Sequence, residues 1–307
     1  MYMKNIENWQ VISADLKQTF QNKFTNNVDN KSVIKMKNDG DITDRDLEIS
    51  KFLFKFRFAT LAQIHKFLGQ GSSANSLKSR LEKLVQYRIL NKFMLGEEEE
   101  DHLYPDAFAV YCLDLGGKYL LTHYSNEDTS DWYVITNMKA SEIISKDILA
   151  TEFYLRIKET CSDKLVYFNL NPELRVARKN VVPSFEMCLK INGQNRYFIG
   201  EITRQYDFPL NFRQKAEKIE NLLITNAWKK YYYDSDSEPI LFIFAENDMV
   251  AKESGKVLSE TTSIQNFRIS TDERIQKVLF ETGAFLKYMP ELQALKEIKA
   301  VTFKPEQ

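Results

Sequence analysis

Residues 43–95 read TDRDLEISKFLFKFRFATLAQIHKFLGQGSSANSLKSRLEKLVQYRILNKFML, and their punctuation decides the fold of the first half of the chain. Thr43 is a helix-capping residue with Asp46 at the third following position. Leu47, Phe52, Leu53 and Phe56 then recur near helical spacing, which predicts a helix to about Phe58. Thr60 opens a second segment, LAQIHKFL, in which Leu61, Ile64, Phe67 and Leu68 make one apolar face before the break GQGSS. A third helix begins near Ser72 or Ser73, sets Leu77, Leu81, Leu84 and Val85 on one face, and ends around Arg88. Ile89 to Leu95 and Ala107 to Leu113 follow as the two arms of a β-hairpin, with the acidic run Glu97 to Asp101 at its tip.

Three helices and a hairpin in this order are the order of a winged helix-turn-helix. Working outward, Trp9 to Phe20 reads as a short amphipathic N-terminal helix, and residues 21–42, rich in Asn, Asp and Lys, read as a flexible connector. The winged-helix domain is thus expected over residues 43–124, closed by a small helix in GGKYLLTHY, with a linker over 125–139. Residues 140–307 alternate. A long helix over Lys139 to Thr160 precedes strands at Leu165 to Leu170, Ser184 to Ile191 and Tyr197 to Ile202. A second long helix spans Leu210 to Tyr233, followed by the apolar strand ILFIFA (240–245), a helix at Met249 to Glu260, a strand at Phe267 to Ser270 and a last helical stretch, Leu286 to Lys299. The expected fold class is α+β in the first domain and α/β in the second.

Composition limits the function classes. The chain has 307 residues, 43% hydrophobic and 28% charged, which excludes collagen-like and wholly disordered readings. Cys112, Cys161 and Cys188 are too few and scattered for a disulfide framework, and His65, His102 and His123 lack metal-ligand spacing. No apolar run approaches the roughly 20 residues that span a bilayer, so a cytoplasmic location is expected and a membrane partner is not. The net charge of -1 shows no global field, yet residues 43–95 carry a local net of +6. On the third helix Ser73, Asn75, Ser76, Ser79 and Arg80 are the candidates for reading base edges in double-stranded DNA, and Lys78, Lys83 and Lys92 for clamping phosphates. The acidic tip would be repelled by phosphate, which predicts a wing held off the DNA.

The second domain contains VPSFEMCLKINGQNRYFIGEIT, with Pro183-Ser184 before one strand and Glu201-Ile202-Thr203 ending the next, a pattern that resembles the PD-(D/E)xK nuclease core. That core needs an Asp after the Pro, a Glu on the next strand, and a Lys two residues beyond it. Here Ser184 replaces the Asp and Thr203 the Lys, so no resident cofactor is expected and the domain reads as catalytically degenerate, with Glu201 pairing with Arg204 or Arg213. Were it active, cleavage would require Mg²⁺, Glu201 with Glu186 or Glu152, and Lys215 or Lys218 in place of the missing Lys.

The succession of a winged helix, LDLGGKYLLTHY, SKDILATEFYLRIKE, a Pro-Ser strand and GEITRQYDFPLNFRQKAEKIENLL resembles the replication-relaxation family of plasmid and conjugative-element proteins, over roughly residues 45 to 245. The match falls on Pro183, Glu201, Arg204, Lys215 and Lys218, with Tyr231 to Tyr233 lying later than the family's Tyr, and departs at Ser184 and Thr203. The resemblance implies a DNA-binding accessory of mobile-element replication or transfer, with a replication initiator or relaxase as partner and the nuclease-like domain as scaffold. A metal-dependent endonuclease and a repressor of its own element are the alternatives, and a homodimer is compatible with either terminal amphipathic piece.

Overall fold

In the computed structural model, residues 5–6, 9–10, 17–24, 28–69, 71, 73–96, 98–99, 102–103, 108–177 and 179–305 are described. The chain is a mixed α+β protein in two compact units, Met1–Thr151 and Glu152–Gln307.

The first unit begins with strands β1 (Asn5–Ile6), β2 (Trp9–Gln10) and β3 (Lys17–Phe20), then helices α1 (Asn30–Asn38) and α2 (Asp44–Phe56). It continues with β4 (Ala59–Thr60), α3 (Leu61–Leu68), α4 (Ala74–Gln86), β5 (Leu90–Gly96), β6 (Glu98–Glu99), β7 (His102–Leu103), β8 (Phe108–Leu113) and α5 (Leu115–Tyr124). A short 3-10 turn, Val134–Asn137, leads to α6 (Ser141–Cys161). The capping residues act as their chemistry dictates. The Thr43 backbone N–H and hydroxyl both donate to Asp46 Oδ2 at 2.7 Å, and Thr60 Oγ1 accepts from the Gln63 N–H at 3.2 Å while Gln63 Oε1 accepts from the Thr60 N–H at 3.1 Å. The sheet runs β3-β5-β8-β4, and Phe58, Phe93, Leu95, Val110 and Cys112 bury one face of it against Ile144 and Ile148 from the first half of α6.

Three expectations are corrected here. The expected N-terminal helix is replaced, at its described residues, by β2 and β3: β3 pairs antiparallel with β5 from Lys17↔Gly96 to Phe20↔Phe93, giving the hairpin edge a partner for its open N–H and C=O groups. The connector over 21–42 is structured around α1, whose cap Asp29 accepts from the Ser32 N–H at 2.9 Å, and Val33 and Ile42 are fully buried. Few apolar residues suffice there because α1 packs on α5. The 125–139 segment is likewise packed. Trp132 is buried, Arg57 Nη1 donates to the Thr136 carbonyl at 2.6 Å, and Asn137 Nδ2 donates to the Leu113 carbonyl at 2.8 Å. The division between units falls instead inside α6, between Thr151 and Glu152.

The second unit is a seven-stranded mixed sheet. Its strands are β9 (Leu165–Leu170), β12 (Phe185–Ile191), β13 (Gln194–Thr203), β14 (Ile240–Ala245), β15 (Phe267–Thr271), β16 (Phe285–Met289) and β17 (Ala294–Ile298), in spatial order β17-β16-β15-β14-β13-β12-β9. Between β9 and β12 lies a two-stranded ribbon of β10 (Leu174–Val176) and β11 (Lys179–Val181). Strands β13, β14 and β15 are parallel, connected through α7 (Leu210–Ile224) and α8 (Asp248–Thr261). One face buries Ile199, Leu241, Ile243 and Ile269 among Phe212, Ile219 and Leu222 of α7 and Val257 and Leu258 of α8. On the other face Phe153 of α6 meets Phe185, Phe242 and Phe244 with ring centroids 5.2–6.0 Å apart. Gly200 stands opposite Phe185 because a Cβ there would lie 2.0 Å from that ring.

Two helix expectations are corrected. The second long helix stops at Ile224: Asn226 takes a left-handed conformation (φ 54°) and a 3-10 turn, Ala227–Lys230, replaces the last turns. The last helical stretch is the β16–β17 hairpin, paired from Phe285↔Ile298 to Met289↔Ala294, where Pro290 removes an N–H that a helix would need and Phe285, Leu286 and Tyr288 complete the sheet's core.

Candidate functional site

Helix α4 turns Leu77, Leu81, Leu84 and Val85 inward and leaves Ser73, Asn75, Ser76, Lys78, Ser79 and Lys83 exposed. Ser73 is the N-cap and accepts from the Ser76 N–H at 3.2 Å, which fixes the start of the helix and leaves its own hydroxyl hydrogen available. Ser79 donates to the Asn75 carbonyl at 3.2 Å and keeps its acceptor lone pairs. The Asn75, Ser76 and Lys78 side chains have no partner among the described residues. Lys83 Nζ lies 3.7 Å from Asp41 Oδ1 and 5.2 Å from the Tyr87 ring centroid, both at the surface. The helix therefore offers short hydrogen-bonding groups at its N-terminal end and ammonium groups further along.

The other predicted contacts are taken up inside the unit. Arg80 lies over the start of α2: Nε donates to Asp46 Oδ1 at 2.9 Å, Nη2 to Asp46 Oδ2 at close range and to the Asp41 carbonyl at 2.7 Å. A guanidinium so committed has a positioning role, and the expectation that Arg80 reads base edges is replaced by this one. Lys92 is paired with Glu82 at 2.7 Å, with the Tyr111 hydroxyl 3.3 Å from the same carboxylate. Just past α4, Arg88 Nε donates to Asp114 Oδ2 at 2.6 Å, and Asp114 is fully buried while its other oxygen accepts from the Leu115 N–H at 2.8 Å. Two buried carboxylates, each at the start of another helix, thus hold α4 at its middle and just past its C-terminal end. Burial pushes the Asp46 carboxyl up, and the bonds from Arg80 and Thr43 outweigh it and leave it below the ordinary range. Of the acidic tip, Glu97, Glu100 and Asp101 lie outside the described residues, while Glu98 and Glu99 form β6, paired with β7.

In the second unit the register Phe185↔Gly200 and Glu186↔Ile199 sets Ser184, Glu186 and Glu201 on one face of the sheet, under α7. Glu201 is 1% exposed, accepts from Lys215 Nζ at 2.7 Å, and has the Ser184 hydroxyl 3.2 Å from the same oxygen. The Lys comes from α7 instead of the strand. Arg204 is committed elsewhere, in a bidentate pair with Asp272 at 2.7 and 2.8 Å, and Arg213 and Lys218 are exposed on α7, so pairing of Glu201 with either arginine is replaced by pairing with Lys215. Glu186 accepts from Asn169 Nδ2 at 2.9 Å and from the buried Tyr232 hydroxyl at 2.7 Å. Burial, then the Glu186 charge, raise the Tyr232 phenol well above its ordinary range and keep it a donor. Glu152 is on α6, 3.5 Å from Arg156. Among the described residues no three His, Cys, Asp or Glu side chains gather as a metal cage. Glu201, Glu186 and Glu152 each face a different donor, so this residue set does not fit a divalent metal.

Sequence spacing found Glu201 and Lys215 but missed Asp46 and Asp114 as clamps, Tyr232 as the partner of Glu186, and the Arg204–Asp272 pair. These join residues 26 to 68 positions apart, and no local pattern signals them. No family model, curated protein or solved structure matches this chain. Among the described residues no helix is long and apolar enough to cross a membrane.

Proposed function

We propose that the chain is a double-stranded DNA-binding accessory protein, of the replication or transfer apparatus of a mobile element, whose first unit works as a winged helix and whose second unit is a nuclease-like scaffold. The observation that carries this reading is α4: it is braced at its middle by Arg80 on buried Asp46 and just past its C-terminal end by Arg88 on buried Asp114, while Ser73, Asn75, Ser76, Lys78, Ser79 and Lys83 stay exposed. An amphipathic helix held rigidly with a polar N-terminal face is suited to major-groove entry, where short donors and acceptors meet base edges and ammonium groups meet phosphate. The order α2, α3, α4, then β5 and β8, supports the winged-helix reading, and the strand pair β12–β13 followed by α7 supports the nuclease-like one.

The test is selection of bound fragments from a sheared library of the host element and genome at roughly physiological salt, where nonspecific binding is weak. Enrichment of a site beside an origin supports the accessory role, and enrichment at a promoter favours the repressor. Enrichment of no fragment overturns the reading.

A further inference from the structure

A group of cations in the second unit is not spent on internal carboxylates. Arg175 and Lys179 on the β10–β11 ribbon, and Lys229 and Lys230 on the Ala227–Lys230 turn, are exposed and make no ion pair among the described residues. The ribbon and the turn are joined. Tyr231 Oη accepts from the Arg175 N–H at 2.5 Å, and Leu174, Val176 and Val181 share a core with Trp228 and Tyr232. The ammonium groups lie over aromatic rings, Lys230 Nζ 5.9 Å from the Tyr231 centroid and Lys229 Nζ 5.5 Å from that of Trp228. Next to them Tyr233 is 86% exposed, so its ring packs against almost nothing although Tyr232 beside it is buried.

We propose that this surface binds single-stranded nucleic acid, with Tyr233 as a stacking platform for an unpaired base and Arg175, Lys179, Lys229 and Lys230 along the phosphates. An aromatic face open to solvent is usable only by a base that is itself unstacked, which is why the surface suits a single strand and not a duplex. The nearby carboxylates set its limits. Asp234 points to the β12–β13 hairpin, where Asn195 Nδ2 donates to it at 2.6 Å and Tyr197 donates to its other oxygen, and exposed Asp236 and Glu173 border the path. The strand therefore runs from the ribbon across Tyr231 to Tyr233 and stops short of the hairpin. DNA and RNA single strands present the same stacking and phosphate chemistry to these groups.

The experiment uses the full chain with fluorescent oligo-dT and oligo-U of about 30 nucleotides, followed by anisotropy at low and physiological salt. Tyr233→Ala is expected to weaken both by about tenfold, and Tyr233→Phe to retain binding. Lys229→Ala with Lys230→Ala is expected to reduce the salt slope by about 0.7 per lysine. Duplex binding should be unaffected by all of these, and Lys78→Ala should leave oligo binding intact. Binding of only one of the two oligos would assign the site to that nucleic acid. No binding of either oligo, no effect of Tyr233→Ala, equal losses on duplex, or release of the oligo by poly-glutamate at equal charge would overturn the proposal. Because Tyr233 is exposed, its variants are expected to melt with the parent. If duplex binding through α4 fails while oligo binding stands, the proposed function falls and this inference does not.

Discussion

Asp46 shows how much one side chain can settle. Its carboxylate closes the capping box of α2 and also receives Arg80 from a helix 34 positions away, at 1% exposure. Removing the guanidinium leaves a buried carboxylate half satisfied, so Arg80→Ala is expected to cost about 3 kcal/mol in urea denaturation, with Arg80→Lys recovering only part because an ammonium cannot span both oxygens. The folded carboxyl lies below its unfolded value of about 3.9, so its contribution is complete above that pH and lost as pH falls through the folded value. Melting temperature between about pH 6 and pH 2 should therefore fall more steeply for the parent than for Asp46→Asn. Glu201 poses the same problem in the second unit. Lys215→Ala is expected to destabilise by about 2 kcal/mol and Lys215→Arg to restore most of it, and an equal loss in both variants would show that the ammonium, not its charge, is what Glu201 requires.

At the scale of elements, helices α2, α3 and α4 lie within a residue or two of where Thr43, Thr60 and Ser73 place them, because a cap and an apolar stripe are both local. Ser73→Ala is expected to cost about 1 kcal/mol by freeing the Ser76 N–H, read in a chemical denaturation curve, with Ser73→Asp neutral or better at the positive end of the helix. The terminal pieces were illegible for the opposite reason. β3 and β17 each lie at the edge of a sheet, and their conformation is set by the strand they pair with, β5 and β16. The stretch 286–299 has apolar residues that fit helical and strand spacing alike, and only Phe285↔Ile298 pairing chooses between them. Asn226, in left-handed backbone, ends what periodicity alone extends to Tyr233.

For the whole molecule, the proposed duplex binding predicts that Lys78→Ala and Lys83→Ala each weaken affinity for all duplexes alike and lower the salt slope by about 1. Asn75→Ala should instead relax sequence preference, measured by repeating the fragment selection. Supercoiled plasmid incubated with Mg²⁺ or Mn²⁺ is expected to stay intact, and nicking abolished by Glu201→Gln would put the endonuclease alternative in place of the scaffold reading. By itself the sequence determined the helices around residues 43–86, the hairpin, the apolar strand 240–245 and the candidacy of Glu201 and Lys215, since caps, spacing and strand alternation act over a few residues. Only the tertiary structure decided that Arg80 braces α4, that Lys215 rather than an arginine meets Glu201, that Glu186 belongs to Tyr232, and that 17–20 and 294–298 are strands. Those outcomes depend on which buried charge finds which partner and which open edge finds which strand, and desolvation makes such choices between residues that the sequence keeps far apart.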